Sequence, residues 1–403
     1  MMKTFLQQFS MATAITLLLC SCGGGVTPNP SSSALSVAIT DAPSCGFDHV
    51  YVTIKRVRVH ESTAATDSDS GWQEITPDLP VKVDLLSLSN GIMMSLGKMP
   101  LPAGEYHQLR LVLADNTPGN MANAIVPAGG SIQPLDTVSN MQGGLTMMHS
   151  ITINPQAHTE LVLDFDVCRS IVQRGDGSYA LRPVLSSTEM HLSGGITGYV
   201  GTANAGAAVY AEINGAVIKG TVADSNGRFV LAPIAQTSAG RNYDVVLSQE
   251  NFGTAIVTGV PVNAGAETIL SSEGNPIVLT PAAMQAASGT ATPASALATI
   301  YAQQEINGQR YTTRIVNANA DTGTWNMELN NAIPELASFG PLPLNFVVNP
   351  AEAGHYTISS TPVAGTSQNS SVNVSASAAM NINVDFCAGT TGNFGAGALC
   401  IAS

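Results

Sequence analysis

The chain has 403 residues, with 15 Lys and Arg against 28 Asp and Glu, a formal net charge of −13 and 44% hydrophobic residues. That balance argues against nucleic acid and anionic lipid as partners, because both are held by clustered cations. Only 11% of residues are charged, against about 25% in ordinary soluble domains. The polar remainder is Ser, Thr, Asn, Gly and Pro, a surface common in exported all-β proteins and unusual in cytosolic enzymes. The length suffices for two or three domains with cores of ordinary size.

Lys3 precedes an uncharged, mostly apolar run from Met11 to Cys20. This run is too short to cross a bilayer but has the length of a signal-peptide core. The end Leu19-Cys20-Ser21-Cys22 resembles a bacterial lipobox, with an aliphatic residue at −3 and a small one at −1. Cutting before Cys20 would instead leave bulky Leu19 at −1. The resemblance implies a lipoprotein signal peptide at 1–21, lipid on Cys22 and an uncharged flexible tether over 22–33. It places the protein in the bacterial cell envelope, held to the membrane by lipid. Gly23 favours the outer membrane, by resemblance to enterobacterial sorting. After residue 22 no apolar stretch approaches the ~20 residues of a membrane-spanning helix.

Four Cys remain in the exported part: Cys45, Cys168, Cys387 and Cys400. An even number in an exported chain reads as disulfides, and four Cys allow three pairings. The expected set is Cys387–Cys400, closing a short Gly-rich loop, and Cys45–Cys168, tying the start of the first domain to its late strands. The four lack C-x-x-C spacing and have no His beside them, which argues against zinc.

From Ala34 the chain alternates. Leu35, Val37 and Ile39 read as a half-buried strand, and Asp41-Ala42-Pro43 as the turn that ends it, with Asp41 as its cap. Val50 to His60 is a long β-branched strand whose apolar positions slip from even to odd, predicting a bulge near Lys55-Arg56. Trp72–Ile75, Val81–Leu86, Glu105–Leu113, Ile151–Ile153, Leu161–Phe165 and Tyr179–Leu185 read as further strands. Gly175-Asp176-Gly177-Ser178 marks a hairpin turn. No sustained helical periodicity interrupts them, so a two-sheet antiparallel sandwich is expected.

Several blocks here are similar to a family of bacterial exported lipoprotein domains of unknown function. They are Leu35 to Pro43 with its Asp-Ala-Pro turn, Val83-Asp84-Leu85-Leu86-Ser87-Leu88-Ser89-Asn90-Gly91, Leu101 to Leu111, Leu163 to Val172, and Leu181 to Val184. The resemblance covers 34–192. It implies fold and location and no activity.

A second unit, 193–280, opens at Gly194. Val209–Ala211, Ala216–Val222, Arg228–Leu231 and Tyr243–Leu247 read as strands, and Asp224-Ser225-Asn226-Gly227 as a turn that needs Gly at its end. A third unit, 294–385, repeats the pattern. Ile300-Tyr301-Ala302 matches Val209-Tyr210-Ala211, and Glu305-Ile306-Asn307-Gly308 matches Glu212-Ile213-Asn214-Gly215. Asp321 to Trp325 stands where Asp224 to Phe229 stood, and Leu344 to Val348 answers Tyr243 to Leu247. Residues 281–293, mostly Ala, Thr and Gly, read as a linker, and 386–403 as a Cys-stapled tail. Both units resemble the prealbumin-like sandwich called carboxypeptidase-regulatory-like, a fold related to carbohydrate-binding domains. The fold class is therefore all-β, antiparallel sandwiches in tandem with no large helix.

Chemistry is sparse. There is no nucleophile elbow, phosphate loop or H-E-x-x-H. The seven His stand singly: His49, His60, His107, His149, His158, His191 and His355. Asp67-Ser68-Asp69-Ser70-Gly71, with Glu74 near, is the closest approach to a metal loop, but lacks the third ligand, sixth-position Gly and closing Glu of an EF-hand. It reads as a solvated loop, and neither metal nor cofactor is expected. Asp164 and Asp166 alternate onto one side of a strand and read as an exposed face. As a rival they could serve as the acid–base pair of a hydrolase acting on envelope polymers. Sugar binding needs exposed aromatic platforms. Trp72 and Trp325 read as core residues, leaving Tyr301, Tyr311 and Tyr356 as the candidates. The expectation is a non-catalytic envelope lipoprotein that binds or scaffolds, with carbohydrate or other envelope proteins as partners.

Overall fold

The computed structural model describes residues 33–41, 46–75, 80–137, 144–238, 241–375 and 380–388. The segments expected as signal peptide (1–21) and, apart from Ser33, as tether (22–33), together with Cys22, the Ala42–Pro43 turn, Cys45, Cys400 and most of the tail, lie outside them. The described chain is all-β. Its helices are one short α-helix, α1 (Val167–Ser170), and single 3-10 turns.

The first unit runs through β1 (Ala34–Asp41), β2 (Phe47–His60), β3 (Gln73–Ile75), β4 (Val81–Asp84), β5 (Met94–Pro100), β6 (Gly104–Leu113) and β7 (Ala124–Pro127). It continues with β8 (Gln133–Thr137), β9 (Leu145–Ile153), β10 (His158–Phe165), β11 (Ile171–Gln173), β12 (Tyr179–Leu181) and β13 (Leu185–Glu189). One sheet has the order β13-β10-β1-β5. The other has β11-β12-β8-β7-β2-β6-β9, with β3 and β4 also on β2. Alternate residues of both sheets close one core around Leu35, Ile54, Tyr106, Leu111 and Phe165.

The bulge falls where the slip in β2 predicts it, between Ile54 and Arg56 against β6. The β11–β12 hairpin turns on Gly177 at φ +86. Three expectations change. The sandwich is not wholly antiparallel, because β1 pairs β10 in parallel and β8 pairs β12 in parallel. The centre of β10 is a continuous run, Leu161-Val162-Leu163, buried on both faces as parallel strands usually are. The strand expected over Val81–Leu86 ends at Asp84, where Leu85 and Leu88 turn inward on a 3-10 turn. The strand expected over Tyr179–Leu185 breaks at Pro183, which has no N–H for a ladder.

The second unit has β14 (Ser193–Tyr199), β15 (Ala208–Ile213), β16 (Ala216–Val222), β17 (Arg228–Ala235), β18 (Tyr243–Ser248), β19 (Ala255–Val260) and β20 (Glu267–Ile269). The third has β21 (Met284–Thr292), β22 (Thr299–Ile306), β23 (Gln309–Asn317) and β24 (Thr324–Asn330). There follow β25 (Glu335–Ser338), β26 (Val347–Val348), β27 (His355–Thr361), β28 (Gln368–Asn373), β29 (Met380–Asn381) and β30 (Val384–Asp385).

The two units have the same topology. Sheet β17-β14-β20 corresponds to β24-β21-β29, and the run β16-β15-β18-β19 corresponds to β23-β22-β27-β28. Local chemistry repeats with it. Asn214-Gly215 and Asn307-Gly308 both take left-handed φ in the hairpin turn. A Cβ on Gly227 or Gly323 would run into the carbonyl of Val200 or Ala291. Phe229 and Trp325 fill corresponding core positions. The Tyr243 hydroxyl donates to Ala235 O and the Tyr356 hydroxyl to Asn330 O, both at 2.9 Å.

Two assignments are corrected. The segment expected as a linker, 281–293, contains β21, which pairs β24 on one side and β29 and β30 on the other. Its residues are small because large groups lie over them: a Cβ on Gly289 would strike Ile382 and the Trp325 ring. Leu344–Val348 is not the counterpart of Tyr243–Leu247. That position belongs to β27, which pairs β22 as β18 pairs β15. Instead β25 and β26 leave the third sandwich and extend the second one's sheet, β25 lying parallel to β19.

Trp325 is 4% exposed. Trp325→Ala is expected to cost about 3–5 kcal/mol, as buried aromatic truncations do, read as a lowered denaturation midpoint.

Candidate functional site

Two of the metal-loop candidates, Asp67 and Glu74, neutralise arginines. Arg58, 7% exposed, lies between Asp67 Oδ1 and Glu74 Oε1, the latter 2.7 Å from its Nε. Glu74 Oε2 also stands 3.5 Å from Arg56. Asp69 accepts from the Thr66 amide at 2.8 Å and holds the loop turn. That bond, made to the ionised form, sets its carboxyl below the usual range. Trp72 is half-buried rather than in the core. Its ring stacks against the guanidiniums of Arg58 and Arg110, 4.5 and 4.7 Å from their carbons, and its Nε1 donates to Thr66 O. Among the described residues no three His, Cys, Asp or Glu side chains are grouped to hold a metal.

The carboxylate pair also separates. Strand β10 ends at Phe165, so the alternation expected to align Asp164 with Asp166 stops between them. Asp166 caps α1, accepting from Arg169 N at 2.9 Å and Arg169 Nε at 2.6 Å. Asp164 faces the second unit and meets Lys219 Nζ at 2.9 Å, with side chains 13% and 3% exposed. Burial pushes the Asp164 carboxyl up and Lys219 pulls it part of the way back. Both carboxylates are thus committed to cations, and the acid–base reading finds no support in this geometry.

Asp164–Lys219 is one of several polar ties across the seams. Asn90, in left-handed φ, plugs the end of the second sandwich. Its Oδ1 accepts from Val230 N at 2.9 Å on one sheet, and its Nδ2 donates to Val222 O at 2.9 Å on the other. Arg182 of the first unit donates to Leu297 O and to Thr299 Oγ1 of the third. Asn317 returns Nδ2 bonds to Cys168 O and Ile171 O at 2.8 and 2.9 Å. Between the second and third units Glu212, fully buried, accepts from Thr312 N at 2.9 Å. Beside it Val246, Ile256, Ile306 and Tyr311 form a small apolar cluster.

These seams enclose a cleft of about 380 Å³ where all three units meet. The first unit supplies Arg169, placed by α1 and its cap. The second supplies the Asn214-Gly215 turn. The third supplies the outer face of β22, β27 and β28. There Ile300, Ala302 and Ile358 point into the core, so Tyr301, Gln303 and Ser359 point outward. Register sets Tyr301, Ser359 and Asn369 in one row across three strands. Arg310 on β23 completes the lining. Of the aromatic candidates only Tyr301 faces this cleft. Tyr311 and Tyr356 are each 3% exposed, and burial raises both phenols, Tyr311 to about 12. The sequence reading missed Arg169, Arg310, Asn90 and Glu212. The repeated Glu-Ile-Asn-Gly and the Asn90-Gly91 at the end of its block were the available signals. Neither Cys168 nor Cys387 is a free thiol. Their expected partners, Cys45 and Cys400, lie outside the described residues.

Residues 32–183 match the profile of a family described as a domain of unknown function (DUF4382). The match spans the first sandwich up to β12. No curated protein matches the chain. Among solved structures it is similar to an interface mutant of a type II cohesin–X-dockerin complex from Acetivibrio cellulolyticus, with 28% identity, 22% of this chain, 58% of that chain and a TM-score of 0.18. The chain thus spans somewhat over half of that structure. A streptococcal ancillary pilin is similar over 88% of this chain and 99% of its own, at 9% identity and TM-score 0.17. A single B repeat unit of the collagen-binding surface protein of Staphylococcus aureus is similar over 45% and 98%, at 13% identity and TM-score 0.17.

Two outcomes are expected at the seams. Lys219→Met strands Asp164 as a buried, unpaired carboxylate and should cost about 3–5 kcal/mol; Asp164→Asn with Lys219→Met should recover much of it. Glu212 is held well above its ordinary 4.5 by burial, with Thr312 N–H pulling it partly back and Asp244 pushing it further. A raised acid gives stability that is fully present below its unfolded value and lost as pH rises through its folded value. Thermal scans between about pH 5 and pH 8 should therefore show the wild type losing more stability than Glu212→Gln.

Proposed function

We propose that the protein is a non-catalytic, lipid-anchored binding module of the bacterial cell envelope, in which three sandwiches form one rigid head and present the junction cleft to a carbohydrate. The observation that carries this reading is the cleft itself: one polar cavity, built jointly by three units, with a tyrosine ring and a row of hydroxyl and amide groups facing it. Concave sites with a few convergent polar groups are where ligands bind. Amides and hydroxyls both donate and accept, as sugar hydroxyls require, and an aromatic ring offers a flat apolar face. The carboxylate pair that could have served a hydrolase, Asp164 and Asp166, is spent on Lys219 and Arg169. Cys22 supplies the anchor, since lipid chains and a flexible tether hold a soluble head at a membrane.

Two measurements test the two halves. The mature chain should partition into detergent and Cys22→Ala should release it or leave it unprocessed; a Cys22→Ala chain that is still cut and still membrane-held contradicts the anchor. A panel of neutral and acidic oligosaccharides titrated against the head should include binders. Tyr301→Ala should weaken them at least tenfold, about 1.4 kcal/mol. A panel with no binder contradicts the carbohydrate reading.

A further inference from the structure

We infer that the ligand of the junction cleft is an acidic glycan, an oligomer of hexuronic acid whose carboxylate is held by Arg169 and Arg310. This rests on the carbohydrate reading and narrows it. The chain has 15 Lys and Arg against 28 Asp and Glu, yet two guanidiniums line this one cleft and no carboxylate lines it. The other cavities differ. A groove of about 690 Å³ on the third unit is lined by Glu305, Glu352 and His355, and one of about 380 Å³ at the seam between the second and third units by Arg241 with Asp244. Of these cavities the junction is the one with two guanidiniums and no carboxylate in its lining, the arrangement that suits an anionic ligand.

Both arginines are held by the same edge. Arg169 Nε donates to Asp166 Oδ2 at 2.6 Å, and Arg310 Nε stands 3.4 Å from Glu305 Oε2. With Nε occupied, the two Nη groups of each guanidinium are what remain to meet a ligand, and Arg binds carboxylates through such paired N–H groups. Arg169 and Tyr301 line the same cleft, which brings the charge and the ring to one place. A lone anion would need no more than this. The row Tyr301, Ser359 and Asn369 runs about 10 Å across three strands and suits an oligomer with hydroxyls along its length. A peptide fits less well, because the lining has no apolar pocket for a side chain beyond Ala216 and Val217.

The test is calorimetric titration of the full mature chain with trigalacturonate, neutral galactotriose and inorganic phosphate. Trigalacturonate should bind at least tenfold tighter than galactotriose, and phosphate should not displace it at equal concentration. Arg310 and Glu305 are both exposed, so Arg310→Gln removes no core contact and should fold normally. It should weaken trigalacturonate about tenfold, as expected for losing a charge-assisted contact, and weaken galactotriose less, so that the preference for the acidic sugar falls. Arg310→Lys should restore only part of the loss, since it keeps the charge without the fork. Equal binding of the acidic and neutral sugars, or an Arg310→Gln chain with undiminished trigalacturonate binding, overturns this inference and leaves the carbohydrate reading standing. Full displacement by phosphate overturns it as well. Binding of neither sugar overturns this inference, and the carbohydrate reading falls with it when the wider panel also holds no binder.

Discussion

Buried polar groups set the shape of this molecule. Each seam between sandwiches holds side chains that cannot stay dry without a partner: Asp164 with Lys219, Asn90 with β16 and β17, Arg182 and Asn317 across the first and third units, Glu212 with Thr312. An apolar seam would tolerate sliding, since burial is non-directional. A hydrogen bond in a dry seam does not, because a small shift leaves a donor or acceptor unsatisfied at about 1–3 kcal/mol. The polar ties therefore fix where the units sit as well as whether they touch.

The placement of β25 and β26 adds to this. The chain leaves the third sandwich after β24, lays β25 along the edge of the second sandwich's sheet, and returns to build β27. An exposed sheet edge is thereby covered by the neighbouring unit's own chain. The second and third sandwiches share a sheet, so they cannot swing like beads on a string. The first is pinned to both. The junction cleft exists only because all three are held together, and its two arginines come from different units.

Much of the fold was legible in the sequence. Alternation located β1, β2 and β6, apolar runs located β10 and most strands of the second unit, and the shift of phase in β2 located its bulge. The paired blocks around Tyr210 and Tyr301, Gly215 and Gly308, Gly227 and Gly323 revealed the duplication, because tight turns demand Gly or Asn at left-handed positions. Strand β21 was hidden for a physical reason: it must be small to pass beneath Trp325, and a strand of Ala, Ser and Gly carries no hydrophobic alternation. Parallel pairing of β1 with β10 leaves no local mark, since the two strands meet only in three dimensions. The site was the least legible part. Arg169, Arg310 and Tyr301 lie far apart in sequence, and Asp164 and Lys219 look like ordinary surface residues until another unit covers them.

The central claim is that these units form one cooperative body. Differential scanning calorimetry of residues 33–403 measures this most directly. One transition is expected, with the calorimetric enthalpy matching the van't Hoff enthalpy, and with amide hydrogens of residues 284–292 exchanging only through that global opening. Two or three separable transitions, with 284–292 exchanging rapidly as an open linker would, contradict it.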